Sequence, residues 1–196
     1  KLLPENLFGA IPFTGLPKLF TPLSTLSLEV SGIVQTQNLY GSGYTGKNVI
    51  LGFLDTGIDY RHPAFLRANG QSRILAIWDQ TDRTGTPPPQ FPYGSFYKKA
   101  ALDDALQSNA PLSVVPVTDW NGHGTYVAGV AGGTPDISAG FLGAAPDADF
   151  AVVKLKPAKQ NLKDFYLVSS DEPVFEEDDL LSAMHFLNEI AASEGK

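Results

Sequence analysis

Hydrophobic positions along the chain fall into five segments with clear periodicity. Asn48–Leu54 (NVILGFL) is an almost unbroken apolar run with Gly52 inside it. Such a run reads as a parallel strand covered on both faces. Arg73–Asp79 (RILAIWD) and Ala148–Leu155 (ADFAVVKL) read as two further strands of the same kind. Gly124–Gly132 (GTYVAGVAG) is small and apolar, the composition of a helix pressed closely against a sheet. Glu176–Ser193 carries the most regular helical pattern. Leu180, Leu181, Met184, Leu187, Ile190 and Ala191 recur at i, i+3/i+4 spacing, and acidic residues occupy the first turn, where they complement the helix dipole. Strands alternating with helices predict an α/β fold: three layers, with a mostly parallel sheet between helices on both faces.

The remainder is less regular. Pro4, Gly9, Pro12, Gly15, Pro17 and Pro22 interrupt every short apolar run at the start of the chain. Residues 1–42 therefore read as an N-terminal arm and turn-rich lead-in, with Lys1–Thr25 extended and Leu26–Tyr40 a short helix or turn followed by loop. Residues 43–196 read as the folded unit. Within it, 80–118 contains Pro87-Pro88-Pro89, Pro92 and Gly94 and is expected to be a surface insertion, with a short helix at Phe96–Gln107. The chain opens on Lys1 rather than Met and stops at Lys196 just after a helix. Another strand is expected to follow that helix in a parallel sheet. The sheet thus reads as unfinished, and the chain as part of a longer polypeptide.

Composition narrows the function. Among 196 residues the formal net charge is −7. A duplex-binding domain usually carries a basic face, so nucleic acid is not an expected partner. No stretch approaches the ~20 apolar residues of a membrane span, so no membrane partner is expected either. The absence of cysteine excludes a disulfide framework, a zinc–thiolate site and a thiol nucleophile.

Gly41-Ser42-Gly43-Tyr44-Thr45-Gly46 has the letters of a dinucleotide fingerprint. That motif must follow a strand and open a helix, so that the helix N-terminus meets the pyrophosphate. Here it precedes a strand, and turn glycines are the better reading. Asp55, Asp59, His62, Asp119 and His123 could in principle ligate a cation, but no tight ligand spacing supports a metal site. The acidic cluster of Asp171-Glu172 and Glu176–Asp179 lacks the alternation and glycine of a calcium loop and reads as a solvated helix start.

Two residues stand apart. Asp55, in Leu54-Asp55-Thr56-Gly57-Ile58-Asp59, lies at the C-terminal end of a predicted strand, where open α/β sheets place ligands. His123, in Asp119-Trp120-Asn121-Gly122-His123-Gly124-Thr125, is flanked by glycines that strip bulk from around the ring, and it opens a helix of small residues. The fold can bring the two together. The carboxylate would then fix the imidazole tautomer and stabilise its cation, leaving the other ring nitrogen to take a proton.

Taken in order, the block from Asp55 to Asp59 with His62-Pro63, and the block from Asn121 through His123 to Gly129, resemble the subtilisin-like serine proteases, or subtilases. Residues 143–155 look like that family's next block, a turn running into a core strand. The likeness covers about residues 43–195. Pro22-Leu23-Ser24-Thr25 together with Arg73–Gln80 is similar to a clostridial branch that includes spore germination proteases.

The resemblance implies a subtilisin-like fold, seen here as the N-terminal half of a catalytic domain. It implies peptide-bond hydrolysis of a peptide or protein substrate, with Asp55 as the orienting acid and His123 as the general base of an Asp-His-Ser triad. The family's Gly-Thr-Ser-x-Ala nucleophile block is absent. Ser138, Ser169, Ser170, Ser182 and Ser193 all lie outside such a context. The nucleophile is therefore expected outside this chain, on the missing C-terminal half of the domain, and the chain alone is expected to be inactive and to self-associate. No cofactor is expected, and a structural calcium ion has no assignable ligands. A secreted or spore-associated location rests on the resemblance alone. The alternative is a non-catalytic interaction module on a degenerate protease scaffold.

Overall fold

Strand β1 (Ile50–Asp55) pairs in parallel with β4 (Asp149–Lys154), with Ile50 opposite Asp149 and Asp55 opposite Lys154. On its other side β4 pairs in parallel with β2 (Ile74–Asp79), and β2 pairs antiparallel with β3 (Ser95–Lys98). The sheet order is β1-β4-β2-β3, mixed but mostly parallel. The computed structural model describes residues 25–38, 43–136, 138–169 and 173–196. Most of the expected N-terminal arm, Gly41 and Ser42 of the glycine motif, and Ser170 lie outside the described residues.

Alternation along the strands divides the apolar residues between two cores. On one face Ile74, Ile77, Phe150 and Val152 pack with Phe65, Ala128 of α5 (His123–Gly132), and Leu102 and Ala105 of α3 (Lys99–Gln107). On the other face Ala76, Trp78, Val153 and Leu155 pack with Ala183 and Phe186 of α7 (Glu177–Ser193). Helices therefore cover both faces, the three-layer arrangement expected from the sequence. A register shift against β4 falls between Ile74 and Ala76. It puts Ile74 and Ile77 into the same core, although they are an odd number of residues apart.

Trp78 anchors the second core. Its ring lies 4.5 Å from Phe91, 5.2 Å from Tyr93 and 5.4 Å from Phe186, centroid to centroid, and its indole N–H donates to the Tyr93 carbonyl at 3.1 Å. Burying one such side chain contributes roughly 1.5–3 kcal/mol.

Several elements differ from expectation. Phe96 and Tyr97, expected at a helix start, belong to β3 and stand opposite Trp78 and Ile77. Aromatic residues suit a pleated, half-buried surface, and the helix begins only at Lys99. The segment 80–118 is more than surface: Leu102, Ala105, Val115 and Val117 are fully buried. It also contains the short helix α4 (Pro111–Val114), with proline in its first turn. The expected helix or turn after residue 25 is two short helices, α1 (Thr25–Val30) and α2 (Ile33–Gln37), separated at Gly32, whose φ is 79°. Helix α6 (Gln160–Phe165) was not anticipated. In α7 the buried side turns on Asp179, Ala183 and Phe186, while Leu181 and Met184 are exposed.

The loop entering the 80–118 segment is tied down by Asp82. Its carboxylate accepts the Thr84 amide at 2.9 Å, the Thr84 hydroxyl at 2.8 Å and the Tyr97 hydroxyl at 2.8 Å. Burial pushes this carboxyl up, but the hydrogen bonds from Thr84, Tyr97 and Ser95 together outweigh it and hold the pKa at about 2. A depressed carboxylate contributes stability that is complete above its unfolded pKa of about 4 and is lost as the pH falls through about 2. Asp82→Asn should therefore melt below wild type at neutral pH, with the gap closing under acid. Melting curves at a series of pH values check this, and a gap that widens in acid contradicts it.

Because β1, β4 and β2 run in parallel, their C-terminal residues Asp55, Lys154 and Asp79 finish on one rim of the sheet. Lys154 and Asp79, both buried, form an ion pair there at 3.5 Å. Among the described residues no strand pairs with the outer edge of β1.

Candidate active site

Asp55 is the last residue of β1 and His123 the first residue of α5. The fold joins them: His123 Nδ1 lies 2.9 Å from both Asp55 Oδ1 and Oδ2. The carboxylate side chain is 14% exposed and the imidazole 61%, so the acid is sheltered and the ring faces solvent. Asp55 Oδ1 also accepts the Thr56 amide at 2.7 Å. An ionised carboxylate accepts only, so this contact calls for the proton on Nδ1, and in the neutral ring the Nε2 lone pair is then free. Nε2 has no hydrogen-bond partner among the described residues.

The glycines beside His123 also shape the backbone around the pair. Gly122 precedes the helix with φ 82°, a left-handed turn that glycine adopts without strain. Gly124 allows a close approach. A Cβ there would collide with the Gly57 carbonyl oxygen and lie 3.0 Å from Asp55 Cβ. The absent side chain therefore lets the Asp55-Thr56-Gly57 turn lie against the start of α5.

The other sequence candidates do not converge on this pair as metal ligands. Asp59 binds the Arg61 guanidinium through both oxygens, at 2.8 Å and 3.1 Å. His62 Nδ1 accepts the Ala64 amide at 3.2 Å, capping a short 3-10 turn. Asp119 accepts hydrogen bonds from Thr56, Gly122 and Thr125. Burial pushes its pKa up, but those donors, Thr125 foremost, hold it below the ordinary carboxylate value. Among the described residues no three His, Asp or Glu side chains are placed to hold a metal ion. The glycine motif, as far as it is described, leads from α2 into β1 rather than from a strand into a helix, which removes the geometry a dinucleotide would need.

Beside the pair opens a cleft of about 350 Å³, lined with Leu54, Asn121, Leu155, Phe175 and Leu180. Sequence reasoning did not anticipate these lining residues, which come from four separate segments. It also gave no role to Thr56 and Thr125, although both stand inside the two motifs.

A family model, the subtilase family of peptidase S8, matches residues 46–172. The chain belongs to the subtilase family. Its sequence is similar to the major intracellular serine protease of Bacillus subtilis, 28% identical over 123 residues that make up 63% of this chain and 28% of that protein. It is also similar to subtilisin-like protease SBT2.2 of Arabidopsis thaliana, 29% identical over 150 residues, 67% of this chain and 17% of that one. The CspB protease of Clostridium perfringens superposes with a TM-score of 0.70 at 32% identity, covering 87% of this chain and 32% of that structure. This structural match agrees with the clostridial likeness seen in the sequence. This subtilase chain spans less than a third of the length of each of these relatives. Its Asp55 block, His123 block and residues 143–155 all fall inside the region matched by the family.

Proposed function

We propose that this chain is the N-terminal half of a subtilase catalytic domain, supplying the acid–base part of a serine endopeptidase that hydrolyses peptide or protein substrates. The 2.9 Å contact between Asp55 and His123 carries the reading. Asp55 holds the ring with its proton on Nδ1. His123 Nε2 then takes the proton of a serine hydroxyl as that oxygen attacks the peptide carbonyl, and later returns it to the leaving amine. Asp55 stabilises the imidazolium formed between these steps. The nucleophile comes from a segment outside this chain. Of the described serines, Ser138 donates to Asp136 and Ser193 to the Ile190 carbonyl, and none bonds to the His123 ring. The reaction as read needs no cofactor.

A serine-directed fluorophosphonate tests the reading on the complete polypeptide. Labelling that disappears in His123→Ala is expected, as is no labelling of the 196-residue chain alone. Failure of the complete polypeptide to label overturns the enzymatic reading in favour of a non-catalytic module.

The same reading gives the chain a second partner. Among the described residues the outer edge of β1 has donors and acceptors without strand partners, a template for pairing with another chain. In isolation the chain is expected to self-associate through this edge. Sedimentation velocity should show concentration-dependent dimers or larger species, and a monomer at all concentrations that melts cooperatively contradicts it.

A further inference from the structure

We infer that Asp119 is the positioning residue of the Asp55–His123 pair, holding both halves in register through Thr56, Gly122 and Thr125. The inference rests on the acid–base reading of that pair. Asp119 Oδ1 accepts the Thr56 hydroxyl at 2.8 Å and the Gly122 amide at 3.0 Å. Asp119 Oδ2 accepts the Thr125 amide at 2.9 Å and the Thr125 hydroxyl at 2.7 Å. One carboxylate thus gathers four donors: from the residue after Asp55, the residue before His123, and the residue two beyond it. Only an ionised carboxylate offers acceptor sites on both oxygens; an asparagine amide keeps one.

The Thr56 hydroxyl shows how this acts on the pair. It has a single proton to donate. It lies 2.8 Å from Asp119 Oδ1 and 3.2 Å from Asp55 Oδ1, and it accepts the Gly124 amide at 3.3 Å. Asp119 takes the proton. Asp55 is spared a competing donor, and both its oxygens remain turned to His123 Nδ1. On the helix side, the Thr125 hydroxyl gives its proton to Asp119 and receives the Asp59 amide at 2.9 Å, which ties the loop after Asp55 to the first turn of α5. Remove Asp119 and the Thr56 hydroxyl is left to turn to Asp55, while Gly122 and Thr125 lose their acceptor. The imidazole then competes with the Thr56 hydroxyl, besides the Thr56 amide already bound there, for the Asp55 carboxylate that fixes its tautomer.

The ring nitrogens of His123 report this without any need for a nucleophile. With the chain labelled in ¹⁵N and the ring neutral, the nitrogen shifts distinguish the Nδ1–H from the Nε2–H tautomer. His123→Gln assigns the signals against His62 and His185. Wild type should show the Nδ1–H form almost alone. Asp119→Ala should move the ring to a mixture of the two tautomers while the backbone amide spectrum stays dispersed. Asp119→Asn, which keeps the volume, and Thr125→Val, which removes one donor, should shift it the same way but less; these two carry the test where Asp119→Ala fails to fold. An unchanged Nδ1–H signature in Asp119→Asn and in every folded Asp119 variant overturns the positioning role and leaves the acid–base pair standing. A wild type without that signature overturns both.

Discussion

In the complete polypeptide His123→Ala is expected to lower kcat by about a million-fold, the scale measured in a subtilisin, a relative of this chain, when the histidine of its triad is removed. The reason is geometric. His123 lines the cleft, and with Nδ1 committed to Asp55 at 2.9 Å, Nε2 is the nitrogen left to take a proton. Asp55→Asn should cost about 10⁴-fold and do so by a different route. Its amide can point an N–H at Nδ1, forcing that nitrogen to accept and moving the ring proton to Nε2, where it blocks transfer from the serine. Both losses should fall in kcat, since neither residue is read as binding the ground state. Steady-state kinetics on a peptide substrate check the ranking, and a loss below about tenfold for His123→Ala removes the general-base role.

Gly124→Ala should disable the site without removing any polar group. The new Cβ would meet the Gly57 carbonyl oxygen, a backbone atom that no rotamer change can move aside. The start of α5 must retreat, carrying His123 away from Asp55. Overpacking of this kind costs roughly 1–3 kcal/mol, and a shift of about 1 Å at a catalytic group about 100-fold in rate. Gly129→Ala is the control. It lies in the same helix, but its Cβ would find only Phe141 Cζ at 3.9 Å, an ordinary contact. That change should stabilise by about 0.5–1 kcal/mol through lower chain entropy and better helix propensity. Thermal melts of the two variants should move in opposite directions; equal shifts would show that the Gly57 contact is not what demands glycine at residue 124.

Burial on two faces made β1, β2 and β4 recognisable, because a strand covered on both sides has to be apolar almost throughout. The same logic failed for β3. Ser95–Lys98 is four residues long, follows a run of prolines and glycines, and pairs antiparallel with β2, Phe96 opposite Trp78, in a register that only the folded sheet supplies. The register shift between Ile74 and Ala76 leaves no mark in hydrophobicity, since every residue there is apolar or small. In α7, periodicity placed Leu181 and Met184 in the buried stripe, although they face solvent and Asp179 is buried instead. Asp179 can be buried because Lys156 and the Tyr93 hydroxyl neutralise and bond its carboxylate, a tertiary arrangement outside the reach of a one-dimensional pattern. At the site, Asp55 and His123 were identifiable because a strand end and a helix start are fixed points of the fold. The Thr56–Asp119 bond was not, since it joins residues 63 apart in the sequence and needs both loops already in place.

The side of β1 left unpaired among the described residues also fixes the symmetry of any assembly built on it. A two-fold rotation relating identical edges sets the paired strands antiparallel. The rims that carry the imidazoles then point away from each other, at opposite ends of one continuous sheet. In such an assembly neither molecule would cap the other's cleft, so two equivalent sites would stay open to water at its two ends.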